Sequence, residues 1–191
     1  MSIVCAVRKG NEVALASDTL TSSGSTRISG QYIKGPEKIY QIGNSYVGFV
    51  GWSAMEIIFE DLMANGTELF DFSDRLSIFR SLLKLQEILK EKYFIKTDED
   101  EQGQPVESSQ IDALVINENG VFKIGSFREV DELTRFWAIG SGRSLALGAM
   151  YALYESDLSA EQIARRGAEA AAEFNESCGL PITSTALTLK N

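Results

Sequence analysis

The chain has 191 residues, a net charge of −9 and no histidine. Its length suits one domain with its own core, and the acidic charge without a basic stripe argues against nucleic-acid binding. The missing histidine excludes a Ser-His-Asp triad and histidine metal sites, so a hydrolase of this composition needs lysine, a carboxylate or the α-amine as its base.

The first half of the chain begins with strands. Short apolar, β-branched segments around polar turns predict two hairpins, 3–7 with 13–17 and 38–42 with 46–51. The stretch 19–31 between them is rich in Ser, Thr and Gly and predicts a loop. Four strands before any helix favour an antiparallel sheet over a βαβ unit.

Helices follow, and the pattern then repeats. Apolar residues at helical spacing predict helices over 53–63 and 74–93. The stretch 96–109 contains the acidic run Asp98–Glu101 and predicts an exposed, mobile loop. Three further strands, two helices and a last strand complete the chain, at 111–116, 120–126, 136–139, 143–154, 159–175 and 181–189.

This order of elements predicts an α+β fold. Two antiparallel sheets between two helical layers would bury every apolar face, which makes a four-layer αββα sandwich. We expect a single domain over residues 1–191.

Two further features bear on location and on the cysteines. No apolar run approaches the roughly 20 residues of a membrane span, and no signal peptide is visible, so we expect a cytoplasmic protein without a membrane partner. Cys5 and Cys178 are far apart in sequence and are expected to be free thiols.

Ser2 follows the initiator methionine directly. On its own, a serine at this position is most often only a permissive second residue. If Met1 is removed, however, Ser2 carries a hydroxyl nucleophile and an α-amine base on one residue. Such an amine, with an ordinary pKa near 8, is partly neutral at physiological pH, so it can accept the hydroxyl proton.

Four segments of the chain together resemble a known family, although no single one is specific enough alone. They are the opening hairpin that ends at Asp18, the Lys38-Ile39 pair, the glycine-bearing strand end 48–51, and the Gly-Ser-Gly sequence at 140–142. In this order and at this spacing they resemble the N-terminal-nucleophile hydrolases, and within them the proteasome β subunits and bacterial HslV-type peptidases.

The resemblance implies roles for individual residues. Ser2 would be the nucleophile, and Asp18 would hold the catalytic Lys38, whose charge lowers the pKa of the amine. The backbone N–H of Gly51 would bind the oxyanion, and Ser141 would hydrogen-bond the amine. The implied substrate-binding residues beside Gly51 are Ser22, Phe49 and Ser53.

The chain also departs from the family. The usual nucleophile is threonine, whereas Ser2 stands here, and a longer loop before Lys38 makes Lys34 a rival for the lysine role. Near the last helix, the supporting aspartate and serine of the family correspond to Asn175 and Cys178, with Ala172 in the same group. No cofactor is required, and a structural monovalent or divalent cation near 175–178 is a candidate.

We therefore predict a peptidase acting through an N-terminal serine exposed by Met1 removal. The resemblance alone implies a homo-oligomeric ring, with a double ring expected, peptide or unfolded protein as substrate, and an ATPase unfoldase as partner. Two alternatives stay open: an inactive structural ring subunit that retains Met1, and a small-molecule amidohydrolase of the same fold class.

Overall fold

The structure is a computed structural model that describes residues 2–66, 70–96 and 106–190. Within these ranges the chain forms eleven strands and four α-helices. Met1 and the acidic run 98–101 lie outside the described residues, as does most of the loop expected at 96–109. None of the helices in the described ranges is long and apolar enough to cross a membrane.

The first sheet is built on the predicted N-terminal hairpin. Its antiparallel strands lie in the order β10, β1, β2, β11. They span β1 (Ile3–Lys9), β2 (Glu12–Asp18), β10 (Phe136–Gly140) and β11 (Ile182–Thr188). The hairpin thus occupies the middle of the sheet, and its residues 3–7 and 13–18 are buried.

The second sheet has five antiparallel strands in sequential order. They are β5 (Ile39–Ile42), β6 (Ser45–Val50), β7 (Asp112–Asn117), β8 (Gly120–Ile124) and β9 (Val130–Leu133). The fourth of these connections, from β8 to β9, ends in a strand that the sequence pattern did not indicate.

Helices cover the outer face of each sheet, and a third core lies between the sheets. The helices are α1 (Ala54–Gly66), α2 (Arg75–Glu91), α3 (Arg143–Leu153) and α4 (Ala160–Phe174). Side chains alternate along a strand, so Ile3 and Cys5 of β1 pack towards α3 and α4, whereas Val4 and Ala6 pack against the second sheet. The predicted four-layer αββα sandwich is confirmed.

Local sequence signals start two of the helices. The side chain of Asp74 accepts hydrogen bonds from the backbone N–H groups of Leu76 and Ser77 and caps α2. Ser159 and Gln162 form a capping box at the start of α4, a signal that can be seen in the sequence. These caps fix where α2 and α4 begin.

Two expectations about loops need correction. The stretch 19–31 contains a small hairpin, β3 (Thr21–Ser23) and β4 (Thr26–Ile28), and a short 3-10 helix begins at Gly30. The described end of the 96–109 loop is not fully exposed, because Ser108 and Ser109 are buried. Ser109 donates hydrogen bonds from both its backbone N–H and its hydroxyl to the Ser126 carbonyl, which anchors this segment.

Candidate active site

Ser2 immediately precedes β1 and is held by the end of β10. Its carbonyl oxygen accepts a hydrogen bond of 3.0 Å from the backbone N–H of Ser141, and the next residue, Ile3, pairs with Gly140. Only 7% of Ser2 is exposed. The main chain of Ser2 is therefore fixed by the first sheet rather than left as a free end.

The Ser2 hydroxyl meets a buried lysine. Lys38, just before β5, places Nζ 2.9 Å from Ser2 Oγ, and Nζ donates to Asp18 Oδ1 at 3.0 Å and to the Leu20 carbonyl at 2.6 Å. An ammonium has three N–H donors, so these three contacts use all of them. The lysine is thereby aimed at the Ser2 hydroxyl.

Asp18 is the anchor of this arrangement. At the end of β2 it is fully buried, and each of its carboxylate oxygens accepts two hydrogen bonds. Three of the four donors are backbone N–H groups, those of Ile3, Leu20 and Gly179, at 3.0, 3.3 and 3.1 Å. One carboxylate thus ties the start of β1, the chain after β2 and the segment before β11 to Lys38.

The Gly140-Ser141-Gly142 sequence is explained by close packing around Ser2. Gly140 has φ +103°, a conformation that favours glycine, and a Cβ there would collide with the Ser2 carbonyl. A Cβ on Gly142 would lie 2.6 Å from the Cβ of Ala171 in α4. Both glycines let β10 and α3 approach the site closely.

Ser141 belongs to a small polar cluster with Asn175 and Cys178. The Ser141 hydroxyl lies 3.4 Å from the Ser2 carbonyl oxygen and 3.7 Å from Cys178 Sγ. Asn175 Nδ2 donates to the Ser141 carbonyl at 3.3 Å, and Asn175 Oδ1 accepts from the backbone N–H of Ser177 at 3.0 Å. Ser141 thus hydrogen-bonds to the carbonyl oxygen of Ser2. The family resemblance had implied a hydrogen bond to the Ser2 amine instead.

This cluster does not offer the donor set of a divalent cation site. Its side chains are neutral and bonded to one another, whereas hard cations favour carboxylate oxygens. Among the described residues no group of three or more Cys, Asp or Glu side chains is placed to hold a metal ion. Ala172, the third residue of the expected supporting group, contributes only a methyl group packed against the α3–α4 core.

The two cysteines are buried and unpaired. Burial raises the pKa of the Cys178 thiol above its usual value, and burial likewise raises that of Cys5. Because the thiolate is the reactive form, neither residue is suited to act as a nucleophile, and Ser2 remains the nucleophile candidate.

Two cavities meet at Ser2. The smaller, about 280 Å³, is called here the Glu56 cavity, and its lining residues are Ser2, Leu20, Thr21, Ser22, Lys38, Gly51, Trp52, Ser53 and Glu56. The larger, about 680 Å³, is called the Arg143 cavity, and it shares Ser2, Gly51 and Trp52 with the first. A substrate that crosses Ser2 would therefore have space on both sides of the hydroxyl.

The expected substrate-binding residues divide in two. Ser22, Gly51 and Ser53 line the Glu56 cavity, but Phe49 does not line either cavity. Its ring is buried and stacks on Tyr40 and Phe59, with centroid distances of 5.2 and 4.6 Å. The structure thus corrects the placement of Phe49, which supports α1 from the core instead of facing substrate.

The rival lysine and an unpredicted carboxylate complete the site. Lys34 is exposed, whereas Lys38 is 3% exposed and bonded to Ser2. Glu56, in the first turn of α1, was missed by the sequence argument although it lines the cavity beside Lys38. Its only sequence signal is a carboxylate five residues after the glycine-bearing strand end.

Comparisons with solved structures find the same overall fold. Two structures of BPH from Thiobacillus denitrificans, one in complex with epoxomicin, are 38% and 39% identical to the chain, and each superposes with a TM-score of 0.91. The matches cover 99% and 98% of this chain and 100% and 98% of theirs. HslV from Trypanosoma brucei, at 21% identity and a TM-score of 0.68, shares the fold over 97% of this chain and 99% of its own. No protein-family model matches the chain.

The αββα sandwich is the fold of the N-terminal-nucleophile hydrolases. The identity to BPH extends over almost the whole chain. The chain belongs to the proteasome β-subunit and HslV-type family of these hydrolases, which are peptidases.

Proposed function

We propose that the chain is a peptidase whose nucleophile is the hydroxyl of Ser2, freed as an N-terminal residue when Met1 is removed. The observation that carries the proposal is the 2.9 Å contact between Lys38 Nζ and Ser2 Oγ, buried at the junction of two cavities. Lysines are almost never buried without a partner. Asp18 supplies the partner that allows this lysine to be buried, and the contact with Ser2 Oγ supports a catalytic role for it.

The first half of the reaction forms an ester. Ser2 Oγ attacks the carbonyl carbon of the scissile peptide bond, and the hydroxyl proton passes to the neutral α-amine of Ser2. The C–N bond of the tetrahedral intermediate then breaks, and the amine returns the proton to the leaving nitrogen. The products are a free amine and an acyl group esterified to Ser2.

The second half regenerates the enzyme. Water attacks the ester carbon while the α-amine takes one of its protons, and the C–O bond to Ser2 breaks as that proton returns to Oγ. The positive charge of Lys38 favours the negative charge that develops on Oγ. Gly51, which lines both cavities, is the proposed backbone donor to the oxyanion.

A serine nucleophile requires only normal removal of methionine, since serine is a small second residue. Serine lacks the β-methyl group that restricts χ1 in threonine. The hydrogen bond from Lys38 takes over part of that orienting role. The related BPH was solved in complex with epoxomicin, which makes this compound a suitable probe of the site.

The family also supports a homo-oligomeric ring, with a double ring proposed, that encloses peptide or unfolded protein. On α2 the apolar residues Leu76, Phe79 and Leu83 are 61%, 41% and 48% exposed. They follow one another at helical spacing, so they share a face. An exposed apolar face is suited to subunit packing. An ATPase unfoldase that feeds the ring is part of the same proposal.

The test compares peptidase activity in protein whose Ser2 has been exposed by a cleavable tag. We expect short fluorogenic peptides to be hydrolysed by wild type and by Ser2→Thr, and not by Ser2→Ala. Equal rates in wild type and Ser2→Ala would exclude the mechanism. Cleavage of acylated amines without cleavage of peptides would favour the amidohydrolase alternative, and no activity in any form would favour the structural subunit.

A further inference from the structure

The Glu56 cavity has the size and position to hold one substrate side chain. Lys38 lines this cavity and not the Arg143 cavity, so Ser2 Oγ, 2.9 Å from Lys38 Nζ, faces its interior. The acyl group stays bonded to Oγ until water attacks. Its side chain must therefore fit beside that oxygen, in the cavity of about 280 Å³.

Among the described residues that line this cavity, only Lys38 and Glu56 carry a charge. The charge of Lys38 is balanced by Asp18 at 3.0 Å, in an ion pair whose side chains are 4% and 0% exposed. Glu56 has neither a hydrogen bond nor an ion pair with any part of the chain that the structure describes. Among the described lining residues, Glu56 is therefore the charged side chain without a direct ion pair or hydrogen bond, and the charge of Lys38 acts on it only at longer range.

A second lining residue also suits a cation. Trp52 lies at the mouth shared by both cavities and is 70% exposed. The face of an indole ring attracts ammonium and guanidinium groups. The Arg143 cavity contrasts with this site, because Arg143 and Asp112 bring charges of opposite sign to its wall.

The raised pKa of Glu56 is consistent with a carboxylate that has no directly bound cation. Burial is the main cause that raises the pKa of its carboxyl group; the charge of Lys38 lowers this pKa, and the charges of Glu60 and Asp18 raise it by less. A substrate cation would relieve this unfavourable burial of negative charge.

We infer that the Glu56 cavity selects a lysine or arginine side chain at the substrate residue whose carbonyl Ser2 attacks, and that Glu56 determines this preference. The inference rests on the proposed peptidase function. It names Glu56 as a specificity residue, since a carboxylate that pairs with a buried cation discriminates against neutral side chains that leave it unpaired.

The test uses Ser2-exposed protein and fluorogenic peptides that differ only in the residue before the scissile bond: Arg, Lys, Leu or Glu. We expect kcat/KM for Arg and Lys to exceed that for Leu by at least about tenfold, which corresponds to about 1.4 kcal/mol. Glu56→Gln should remove this advantage, and Glu56→Lys should favour Glu. Glu60→Gln is the matched control, since this exposed residue lies one helical turn further on, outside the cavity, and should keep the advantage.

A binding measurement separates this inference from the proposed function. In Ser2→Ala protein, calorimetry compares acetylated tripeptide amides that end in Arg or in Leu. Tighter binding of the Arg peptide that is lost in Glu56→Gln supports the inference, even if wild type cleaves no peptide. Absence of cleavage by wild type would contradict the proposed function but not the binding preference. Equal Arg and Leu preference in both assays would overturn the inference. A preference for Arg only after the scissile bond, seen with internally quenched peptides, would overturn its placement.

Discussion

The carboxylate of Asp18 and the ammonium of Lys38 form an ion pair of 3.0 Å with almost no exposed surface. Asp18 also accepts hydrogen bonds from three backbone N–H groups, so the ion pair is part of a network that joins three segments of backbone. This network connects the stability of the fold to the position of the nucleophile.

Replacing Asp18 by Asn is expected to destabilise the fold by on the order of 3 kcal/mol. The amide NH₂ of asparagine would face two of the four donors, and Lys38 would lose its counter-charge. Urea unfolding measures the effect. Asp131→Asn is the control, because its pair with Lys123, at 3.5 Å, has side chains that are 56% and 31% exposed. Such a pair is worth at most about 1 kcal/mol, and an equal loss in both variants would contradict the role of Asp18.

Lys38→Met should lower kcat/KM by about 10² or more in Ser2-exposed protein, the scale of a positioned acid–base or charged group. Methionine keeps much of the apolar stem but cannot stabilise negative charge on Ser2 Oγ. Lys34→Met is the matched control and should keep wild-type activity, because Lys34 is exposed. Rates are compared well below the unfolding temperature of each variant. Loss of activity in Lys34→Met but not in Lys38→Met would assign the catalytic role to Lys34.

Gly140→Ala should reduce both stability and activity. The strain of φ +103° costs on the order of 1–3 kcal/mol in a residue with a side chain, and the new Cβ would push against the carbonyl of Ser2. Gly148→Ala, in α3, is the control, because a Cβ on Gly148 would have no neighbouring atom within 4 Å. This variant should be more stable by up to about 1 kcal/mol because alanine has the higher helix propensity. Thermal unfolding and peptide hydrolysis report on both variants. An active, fully stable Gly140→Ala protein would show that the packing of Ser2 against β10 is not required.

The preference for basic residues should depend on pH. As pH falls through the pKa of Glu56, the carboxylate gains a proton and its attraction for Arg or Lys disappears. Burial places that pKa above the usual value of a glutamate, so the preference should be lost at a higher pH than for an exposed carboxylate. The ratio of kcat/KM for Arg and Leu peptides measures this, since ionisations of the shared catalytic groups cancel. A ratio that varies with pH in the same way in Glu56→Gln would assign the effect to another group.

The sequence was informative where a signal is local or the family pattern is specific. The N-terminal hairpin, the capping box at Ser159 and the αββα order all follow from periodicity and end signals. Lys38, unlike Lys34, is followed by an aliphatic residue and a strand, as in the family pattern, and the structure places Lys38 against Ser2. The hairpin β3–β4 and strand β9 were missed because they have three or four residues and little apolar alternation.

The residues of the cavity walls were predicted less well. Phe49 shares a strand face with Val47, and both pack towards α1 and α2, so strand alternation applied strictly would have moved Phe49 into the core. Glu56 reaches the site because α1 packs against the second sheet, which places the first turn of the helix in the wall of the cavity that Lys38 also lines. That relationship depends on tertiary packing, and a lone carboxylate five residues after a strand end is too weak a signal to predict it.

The central claim is that Ser2 acts as an N-terminal nucleophile. The most direct measurement compares peptide hydrolysis by two purified forms of the same chain, one starting at Ser2 and one retaining Met1, with each terminus verified by intact mass. We expect hydrolysis by the Ser2 form alone. Equal rates in the two forms would contradict it.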